Sequence, residues 1–358
     1  MTTVSGVAFP GGKIAELRSF EIDEPGPNEV RIQVKASGIC GSDLHSYDSD
    51  NGLRAWGPTD DRSNPLTPRT GELLVGGHEP AGVIEAVGSE VKDFAIGDRV
   101  LVYHIMGCGN CDQCRAGHPV LCRSDRRSAY GGERNGGHAP LLLVDQHSLI
   151  RLPDELSFID GAMIACGVAT AYAAIKKTGV QAGQSLLVTG MGPVGLAVAQ
   201  LASEMGIIVI GSDLNPERLE RAKIHGLTHA LDPERPALEQ IHELTGGRGV
   251  EGAIDAAGAT AARKLCIDAA AIWGVVVFVG VALQELTMNP TLDVISKCLT
   301  IRGSWVSSLA EMEDVTRMLA ATGVHPESLV TKRYTIDQAA DAYETFAAGL
   351  PGKSVFVY

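Results

Sequence analysis

Four cysteines lie within one short stretch of the chain, close enough together to bind a single metal ion. Cys108, Cys111, Cys114 and Cys122 follow the pattern C-x2-C-x2-C-x7-C. Four thiolates at this spacing can close a tetrahedron around zinc and leave no open position, which predicts a structural zinc site. A bacterial iron–sulfur cluster is one alternative, but its fourth cysteine comes earlier and precedes proline, where this chain has Arg123. A nucleic-acid-binding zinc ribbon is another, and it requires a basic stripe that this acidic sequence lacks.

A glycine-rich turn matches the G-x-G-x-x-G pattern of dinucleotide-binding proteins. Its six residues are Gly190, Met191, Gly192, Pro193, Val194 and Gly195. The run follows an apolar strand and opens an apolar helix, so we expect Gly190 to permit a tight turn, Gly192 to let the pyrophosphate approach and Gly195 to let helix and strand pack. Asp213 ends the next strand and favours NAD, because it would bind the ribose hydroxyls and repel a 2′-phosphate. Arg218 could soften that preference, and a glycine-rich turn without a ligand is the alternative.

Three further elements could bind a metal, but they lie far apart in the sequence. They are Cys40, the pair His78-Glu79, and Cys166. Taken singly, Cys166 is more often a small buried apolar residue and His78 a core histidine with satisfied hydrogen bonds. Spacing alone does not join these residues into one site.

The elements that must position these residues follow two different patterns. The first 150 residues are rich in glycine, proline and short β-type runs, which predicts an irregular, mostly β domain. From about Cys166 strands and helices alternate, which predicts βαβ units and a parallel sheet. The tail, from about Trp305, returns to a mixed pattern, so one domain is inserted between two parts of another. The expected strands of the inserted domain span 185–189, 207–212, 250–255 and 275–280.

Composition narrows the class of protein. The chain has 358 residues and a formal net charge of -13, which disfavours binding to nucleic acid or to anionic membrane surfaces. The apolar runs are too short to span a bilayer, and the first ten residues do not resemble a signal peptide. Eight cysteines in a chain of this size indicate metal ligands or thiols in a reduced, cytoplasmic compartment.

Taken together, the motifs resemble the zinc-containing alcohol dehydrogenases of the medium-chain dehydrogenase/reductase superfamily, nearly from end to end. The motifs that carry this resemblance are Gly38–His45, Gly77-His78-Glu79-x-x-Gly82, Gly97-Asp98-Arg-Val, the four cysteines, Cys166 and the glycine-rich turn. The resemblance implies an α/β protein with two domains. A GroES-like, mostly β catalytic domain would comprise residues 1–166 and 306–358, and a Rossmann NAD-binding domain would comprise residues 167–305.

The resemblance also implies a catalytic zinc site. Cys40, His78 and Cys166 would bind the zinc, and Glu79 would lie behind it and ligate transiently. A Cys2His set with one open position is the zinc site expected for alcohol oxidation. Asp43 would accept the other N–H of His78 and so fix its tautomer.

Two residues near Cys40 would carry the proton away, again by resemblance. Ser42 would accept the proton of the alcohol, and His45 would relay it through the cofactor ribose to solvent. Their alternatives are a turn serine and a surface histidine.

The resulting hypothesis is an enzyme with two zinc ions per chain that passes hydride between a primary or secondary alcohol and NAD. A polyol or hydroxy-amino-acid dehydrogenase is the alternative, although polyol enzymes commonly use a glutamate near the position of Cys166. Two further classes are a non-catalytic NAD-binding protein and a zinc-free reductase, for which the intact set of ligands would be surplus.

Two expectations concern surfaces. Glycine-rich edge strands near 275–281 indicate a homodimer or homotetramer. The long polar segment between His45 and His78 is a surface loop or a substrate-selecting lid, in which Trp56 would cover the substrate and Arg54, Arg62 and Arg69 would bind its polar groups.

Overall fold

A computed structural model of the protein describes residues 1–55 and 70–358. The middle of the predicted substrate loop, with Trp56, Arg62 and Arg69, lies outside the described residues. Arg54 is described, and its guanidinium donates to the backbone oxygen of Asn51 at 3.0 Å. This hydrogen bond ties Arg54 to its own loop.

The described chain contains strands and helices in the following order. The strands are β1 (Thr2–Gly11), β2 (Ile14–Ile22), β3 (Glu29–Ile39), β4 (Glu79–Val87), β5 (Arg99–Val102), β6 (Ile105–Met106), β7 (Ser128–Ala129), β8 (Leu141–Asp145), β9 (Leu149–Arg151), β10 (Ser185–Thr189), β11 (Ile208–Ser212), β12 (His229–Ala230), β13 (Val250–Asp255), β14 (Ala270–Phe278), β15 (Thr300–Gly303), β16 (Val330–Tyr334) and β17 (Lys353–Val357). The helices are α1 (Asp43–Asp48), α2 (Asp112–Arg115), α3 (Phe158–Met163), α4 (Ala169–Thr178), α5 (Pro193–Glu204), α6 (Pro216–Ile224), α7 (Ala237–Thr245), α8 (Thr260–Ala269), α9 (Leu309–Thr322) and α10 (Ala339–Ala347).

One compact unit comprises Met1–Cys166 and Ser308–Tyr358. Its seven-stranded sheet has the order β16-β17-β3-β4-β5-β9, with β8 paired to β3. Along the first part of β3 alternate side chains are buried, because successive residues of a strand point to opposite faces. Strands β3 and β4 are antiparallel neighbours, and residues of the site lie at their ends.

The other compact unit comprises Gly167–Ser307. Its sheet has six parallel strands in the order β12-β11-β10-β13-β14-β15. Strands β10 and β13 have the bounds predicted from the sequence, and β11 begins one residue later than predicted. The buried faces of these strands form one apolar core with α7 and α8, which explains their continuous apolar runs.

The prediction of an edge strand at 275–281 is wrong. Strand β14 ends at Phe278, and it pairs with β13 on one side and with β15 on the other. The edge strands of this sheet in the described chain are therefore β15 on this side and β12 on the other. The sequence missed β15 because Thr300–Gly303 is short and lacks a long apolar run.

One helical run among the described residues, Phe158–Thr178, is long and apolar enough to cross a membrane by length and composition alone. However, 83% of its most apolar window is buried inside the protein. Burial of this extent is typical of a core helix.

Candidate metal centres and cofactor site

Four side chains that are distant in sequence converge at one end of β3 and β4. The possible ligand atoms of Cys40, His78, Glu79 and Cys166 all lie within 4.8 Å of one another. Strand β3 ends immediately before Cys40 and β4 begins at Glu79, and the two strands pair with Gly38 opposite Glu79. The register of this one strand pair therefore brings Cys40 and His78 together. Cys166 reaches the cluster from a π-helical turn, Ile164–Val168, a type of turn that often occurs at functional sites.

Asp43 fixes the orientation of His78. Its Oδ1 lies 2.8 Å from His78 Nδ1, and its Oδ2 accepts from the backbone N–H of Cys40 at 2.8 Å. Because a carboxylate only accepts, Nδ1 carries a proton, and Nε2 is the ring nitrogen left to bind a metal. Burial opposes protonation of His78, but Asp43 and Cys40 raise its pKa well above the usual value.

Glu79 lies against a second buried charge. Its Oε1 is 2.7 Å from Lys353 Nζ, and both side chains are almost completely buried. Burial raises the pKa of Glu79 to about 8 despite the neighbouring ammonium group, and Glu79 in turn raises the pKa of Lys353. A side chain at Gly38 would place its Cβ only 2.0 Å from Glu79 Oε2, so the approach of the carboxylate requires glycine there.

The donor set of this cluster fits zinc. Oε2 of Glu79 is buried and has no hydrogen-bond partner among the described residues, which leaves a strong acceptor facing no donor. A hydrogen bond from the Cys166 thiol holds the pKa of Cys40 well below its usual value, while that of Cys166 is raised well above it. Only one of two such close thiols ionises without a cation. Two sulfurs and one imidazole at these separations are the ligands that tetrahedral zinc prefers.

The two residues predicted to relay the proton lie at the start of α1. Ser42 is exposed and precedes the helix, and its Oγ lies 3.4 Å from His78 Nε2. His45 lies one turn further along α1 and is exposed. Among the described residues no hydrogen bond connects the two side chains, so the structure places Ser42 at the cluster and shows no contact of His45 with it.

The four cysteines of the predicted structural site form a separate cluster. The sulfur atoms of Cys108, Cys111, Cys114 and Cys122 also lie within 4.8 Å of one another. Backbone N–H groups of Asn110 and Cys111 lower the pKa of Cys108 to about 6. Burial and the neighbouring Cys111 raise the pKa of Cys114 to about 12. The thiol of Cys114 therefore ionises readily only if a cation balances the neighbouring sulfur atoms.

The glycine-rich turn adopts the geometry expected of it. Gly190 has φ +90° and donates its N–H to Ser212 O at 2.7 Å. A Cβ at Gly195 would lie 1.8 Å from Gly190 O, so α5 packs against the turn only with glycine there. A Cβ at Gly192 would meet no described atom within 4 Å, which leaves the N-terminus of α5 open at this point. Pro193 is the first residue of α5 and Val194 follows it.

Asp213 has a role that the sequence did not reveal. Its Oδ2 accepts from Met191 N at 2.6 Å and its Oδ1 from Asn215 N at 2.8 Å. The carboxylate therefore braces the glycine-rich turn from the end of β11. Arg218 lies 3.8 Å from the same Oδ2, so a cation sits beside the predicted ribose site.

Two buried residues next to the first cluster were missed by the sequence reasoning. Lys353 is the first residue of the last strand, and a lone lysine opening an apolar strand was the available signal. His104 lies with its ring centroid 4.9 Å from that of His78, and its Nδ1 donates to Ala165 O at 3.2 Å. Burial lowers the pKa of His104 to about 3, which keeps it neutral beside the cluster. The sequence carried no signal for His104.

Comparison with known proteins covers the whole chain. An alcohol dehydrogenase GroES-like domain matches residues 26–154, and a zinc-binding dehydrogenase domain matches residues 193–321. The chain is 40% identical to the uncharacterized zinc-type alcohol dehydrogenase-like protein YphC of Escherichia coli K12, over 99% of both chains. It is 32% identical to a sorbitol dehydrogenase of Halalkalibacterium halodurans, over 91% of this chain and 90% of the relative. A zinc-binding dehydrogenase of Sinorhizobium meliloti 1021, solved with NADP bound, is similar over 100% of both chains with TM-score 0.86 and 27% identity.

Proposed function

This chain belongs to the zinc-type alcohol dehydrogenases, and from that premise we propose that it oxidises a primary or secondary alcohol with NAD as the hydride acceptor. The family makes it a zinc-dependent oxidoreductase that acts on CH–OH groups and uses a nicotinamide cofactor. Its fold combines a GroES-like domain with a Rossmann-type domain, as the sequence predicted. The observation that carries the proposal is the convergence of Cys40, His78, Glu79 and Cys166 within 4.8 Å.

We assign the catalytic zinc to Cys40, His78 and Cys166. Bound zinc supplies a Lewis acid that lowers the pKa of an alcohol brought to it. Asp43 supports the role of His78, because its hydrogen bond holds the proton on Nδ1 and leaves Nε2 free to bind. Glu79 has an unpartnered buried oxygen beside the ligands, which fits a carboxylate that ligates only transiently.

Ser42 and His45 form the proposed path for the proton. Ser42 Oγ would accept the proton that the alcohol gives up and release its own hydroxyl proton in exchange, and its distance of 3.4 Å to His78 Nε2 places it at the cluster for this step. A ring nitrogen of His45, three residues further along the chain, would take up the released proton and pass it to solvent, to which this side chain is exposed.

We propose a second zinc ion at Cys108, Cys111, Cys114 and Cys122. The segment 108–122 that holds these cysteines is called the lobe below. Four sulfur ligands leave no open position, so this ion would stabilise the fold and take no part in the reaction. The spacing of the cysteines supports zinc rather than an iron–sulfur cluster, because the fourth cysteine comes later than in the bacterial iron–sulfur pattern and is followed by Arg123 instead of proline. The chain would then hold two zinc ions.

NAD is proposed over NADP because of Asp213. Asp213 directly follows β11, and its carboxylate lies next to the glycine-rich turn, where it would repel a 2′-phosphate. Arg218, 3.8 Å away, weakens that repulsion, and the related S. meliloti enzyme binds NADP.

We further propose that residues 167–305 form the cofactor domain and that 1–166 and 306–358 form the catalytic domain.

A polyol or hydroxy amino acid is the second candidate substrate class. The similarity to a sorbitol dehydrogenase favours it, whereas Cys166 in the ligand cluster favours a simple alcohol.

For the cellular setting we propose the cytoplasm, because free thiols as metal ligands need a reducing compartment.

We propose a homodimer or homotetramer as the working form. Strand β15 leaves the edge of its sheet unpaired within the described chain. Several large apolar side chains in the same part of the sequence are more than half exposed. These are Ile272, Trp273, Val281, Leu283, Leu292, Ile295 and Trp305. Exposed large apolar side chains and an unpaired edge strand are each typical of a subunit contact.

A screen of primary, secondary, aromatic and sugar alcohols with NAD and with NADP tests the proposal. We expect alcohol-dependent formation of NADH with a higher kcat/KM than for NADPH. Asp213→Gly should weaken the use of NAD and improve the use of NADP. Failure of every alcohol to reduce either cofactor would contradict the proposed activity, and a native preference for NADP would contradict the role of Asp213.

A further inference from the structure

A buried chain of hydrogen bonds lies next to the catalytic cluster and has no part in the mechanism above. His138 is completely buried, and each of its ring nitrogens has one partner. Its Nδ1 lies 2.9 Å from Ser37 Oγ, and its Nε2 lies 2.9 Å from Tyr343 OH. Burial lowers the pKa of His138 to about 4, so the ring is neutral and donates from one nitrogen while it accepts at the other.

The His138 ring lies directly on the turn that leads to His78. A Cβ at Gly77 would lie 2.2 Å from His138 Nδ1, and Gly77 has φ +82°. The backbone around His138 also pairs with this turn. His138 donates its N–H to Gly76 O at 2.9 Å, and Gly137 donates to Gly77 O at 2.8 Å. Ring and backbone therefore fix the two residues that precede His78.

The two partners of His138 belong to the elements that carry the rest of the site. Ser37 lies on β3, three residues before Cys40. Tyr343 lies on α10 and packs against Tyr47 of α1, with ring centroids 5.5 Å apart. Helix α1 begins at Asp43, the residue that orients His78. One histidine thus connects the segments that hold Cys40, His78 and Asp43.

We propose that His138 is a positioning residue for the metal site, which it serves by bridging Ser37 and Tyr343 across the turn before His78. A buried network with every member satisfied specifies one arrangement of its elements more strictly than apolar packing does. The direction in which His78 Nε2 points depends on the position of the His78 backbone, because the hydrogen bond from Nδ1 to Asp43 limits rotation of the ring. This proposal rests on the zinc site proposed above.

The test measures zinc binding rather than turnover alone. Zinc affinity is determined on the full-length protein by competition with a chelator, and His78→Ala supplies the isotherm of the four-cysteine site alone. Subtraction gives the affinity of the catalytic site. His138→Phe keeps an aromatic ring but removes both hydrogen bonds, and we expect it to lower this affinity about 10- to 100-fold, as loss of a supporting residue behind metal ligands typically does.

Two matched tyrosine variants separate positioning from stability. Tyr343→Phe removes the hydroxyl next to His138, while Tyr130→Phe removes a hydroxyl that accepts from Asp145 N at 2.9 Å elsewhere in the same unit. Both tyrosines are fully buried, so urea unfolding should show similar losses of stability. Only Tyr343→Phe should weaken zinc binding. His138→Gln, whose amide can still meet the Tyr343 hydroxyl, should recover part of the affinity.

The outcomes are distinct. A native isotherm identical to that of His78→Ala would overturn the zinc site and this proposal together. A native two-site isotherm with native affinity in His138→Phe would overturn the positioning role alone. Equal losses of zinc affinity in Tyr343→Phe and Tyr130→Phe would also overturn it, because general destabilisation would then account for the effect. If His138→Phe does not fold, the two tyrosine variants decide.

Discussion

The two clusters of possible zinc ligands are built in opposite ways. In the lobe, Cys108, Cys111, Cys114 and Cys122 come from one short stretch, and backbone N–H groups of the same stretch stabilise their sulfur atoms. In the other cluster the possible ligands come from the ends of two strands and from a π-helical turn. Their support comes from more distant residues, above all Lys353, which lies 274 positions from Glu79.

The difference between local and distant ligands shows that binding a metal ion and carrying out a reaction place different demands on a site. A local set of four thiols can bind a metal with little help from the fold, and it closes all four positions. The second cluster depends on the pairing of β3 with β4, and it keeps a buried carboxylate oxygen without a partner. We therefore propose that the cluster assembled by the fold carries the reaction and that the four-cysteine cluster contributes stability.

The largest expected effect is on turnover in the assembled cluster. His78→Ala removes one of three zinc ligands, and we expect kcat to fall roughly a thousandfold or more because the Lewis acid is lost or misplaced. Folding should be nearly intact, since the strand pairing around His78 does not depend on its side chain. Steady-state kinetics and circular dichroism check both halves. Full activity in this variant would contradict the assignment.

The matching change in the lobe should act on stability. Cys111→Ser removes one of four sulfur ligands, and we expect Tm to fall on the order of 10 °C because a closed zinc site contributes folding energy. The native protein treated with a mild chelator is the control, and it should move in the same direction. An unchanged Tm with zinc still bound would remove the distinction between the two clusters.

A smaller effect is expected from the buried ion pair that supports the assembled cluster. Lys353→Met leaves Glu79 buried without its partner, which should cost about 3–5 kcal/mol of unfolding free energy. Lys332→Met is the control, because Lys332 is exposed on the neighbouring strand β16. Adding Glu79→Gln to Lys353→Met should restore much of the loss, since the buried acidic group that has lost its cation is then gone. Urea unfolding measures all four proteins, and equal stability of the two lysine variants would refute the role of the pair.

The sequence predicted the local features well and the distant ones poorly, and the reason is physical. The spacing of the cysteines was enough to predict the four-cysteine cluster. The short apolar runs that alternate with helical segments were enough to predict β10 and β13, because both signals lie within short stretches of sequence. Cys40, His78 and Cys166 could be joined only through resemblance to a family, because strand register brings them together. Lys353 and His138 were missed because their partners lie on other elements. The edge strand was misplaced because β15 is too short to give a pattern.

The most direct test of the account is a stepwise chelation of the native protein with three readings at each step: zinc content, turnover and Tm. We predict two zinc ions per chain that leave in separate steps, one accompanied by loss of turnover with little change in Tm and the other by a fall in Tm. Loss of both ions in one step, with turnover and Tm falling together, would contradict the division between an assembled catalytic site and a local structural one. Iron with a visible absorption band in place of the second zinc would contradict it equally.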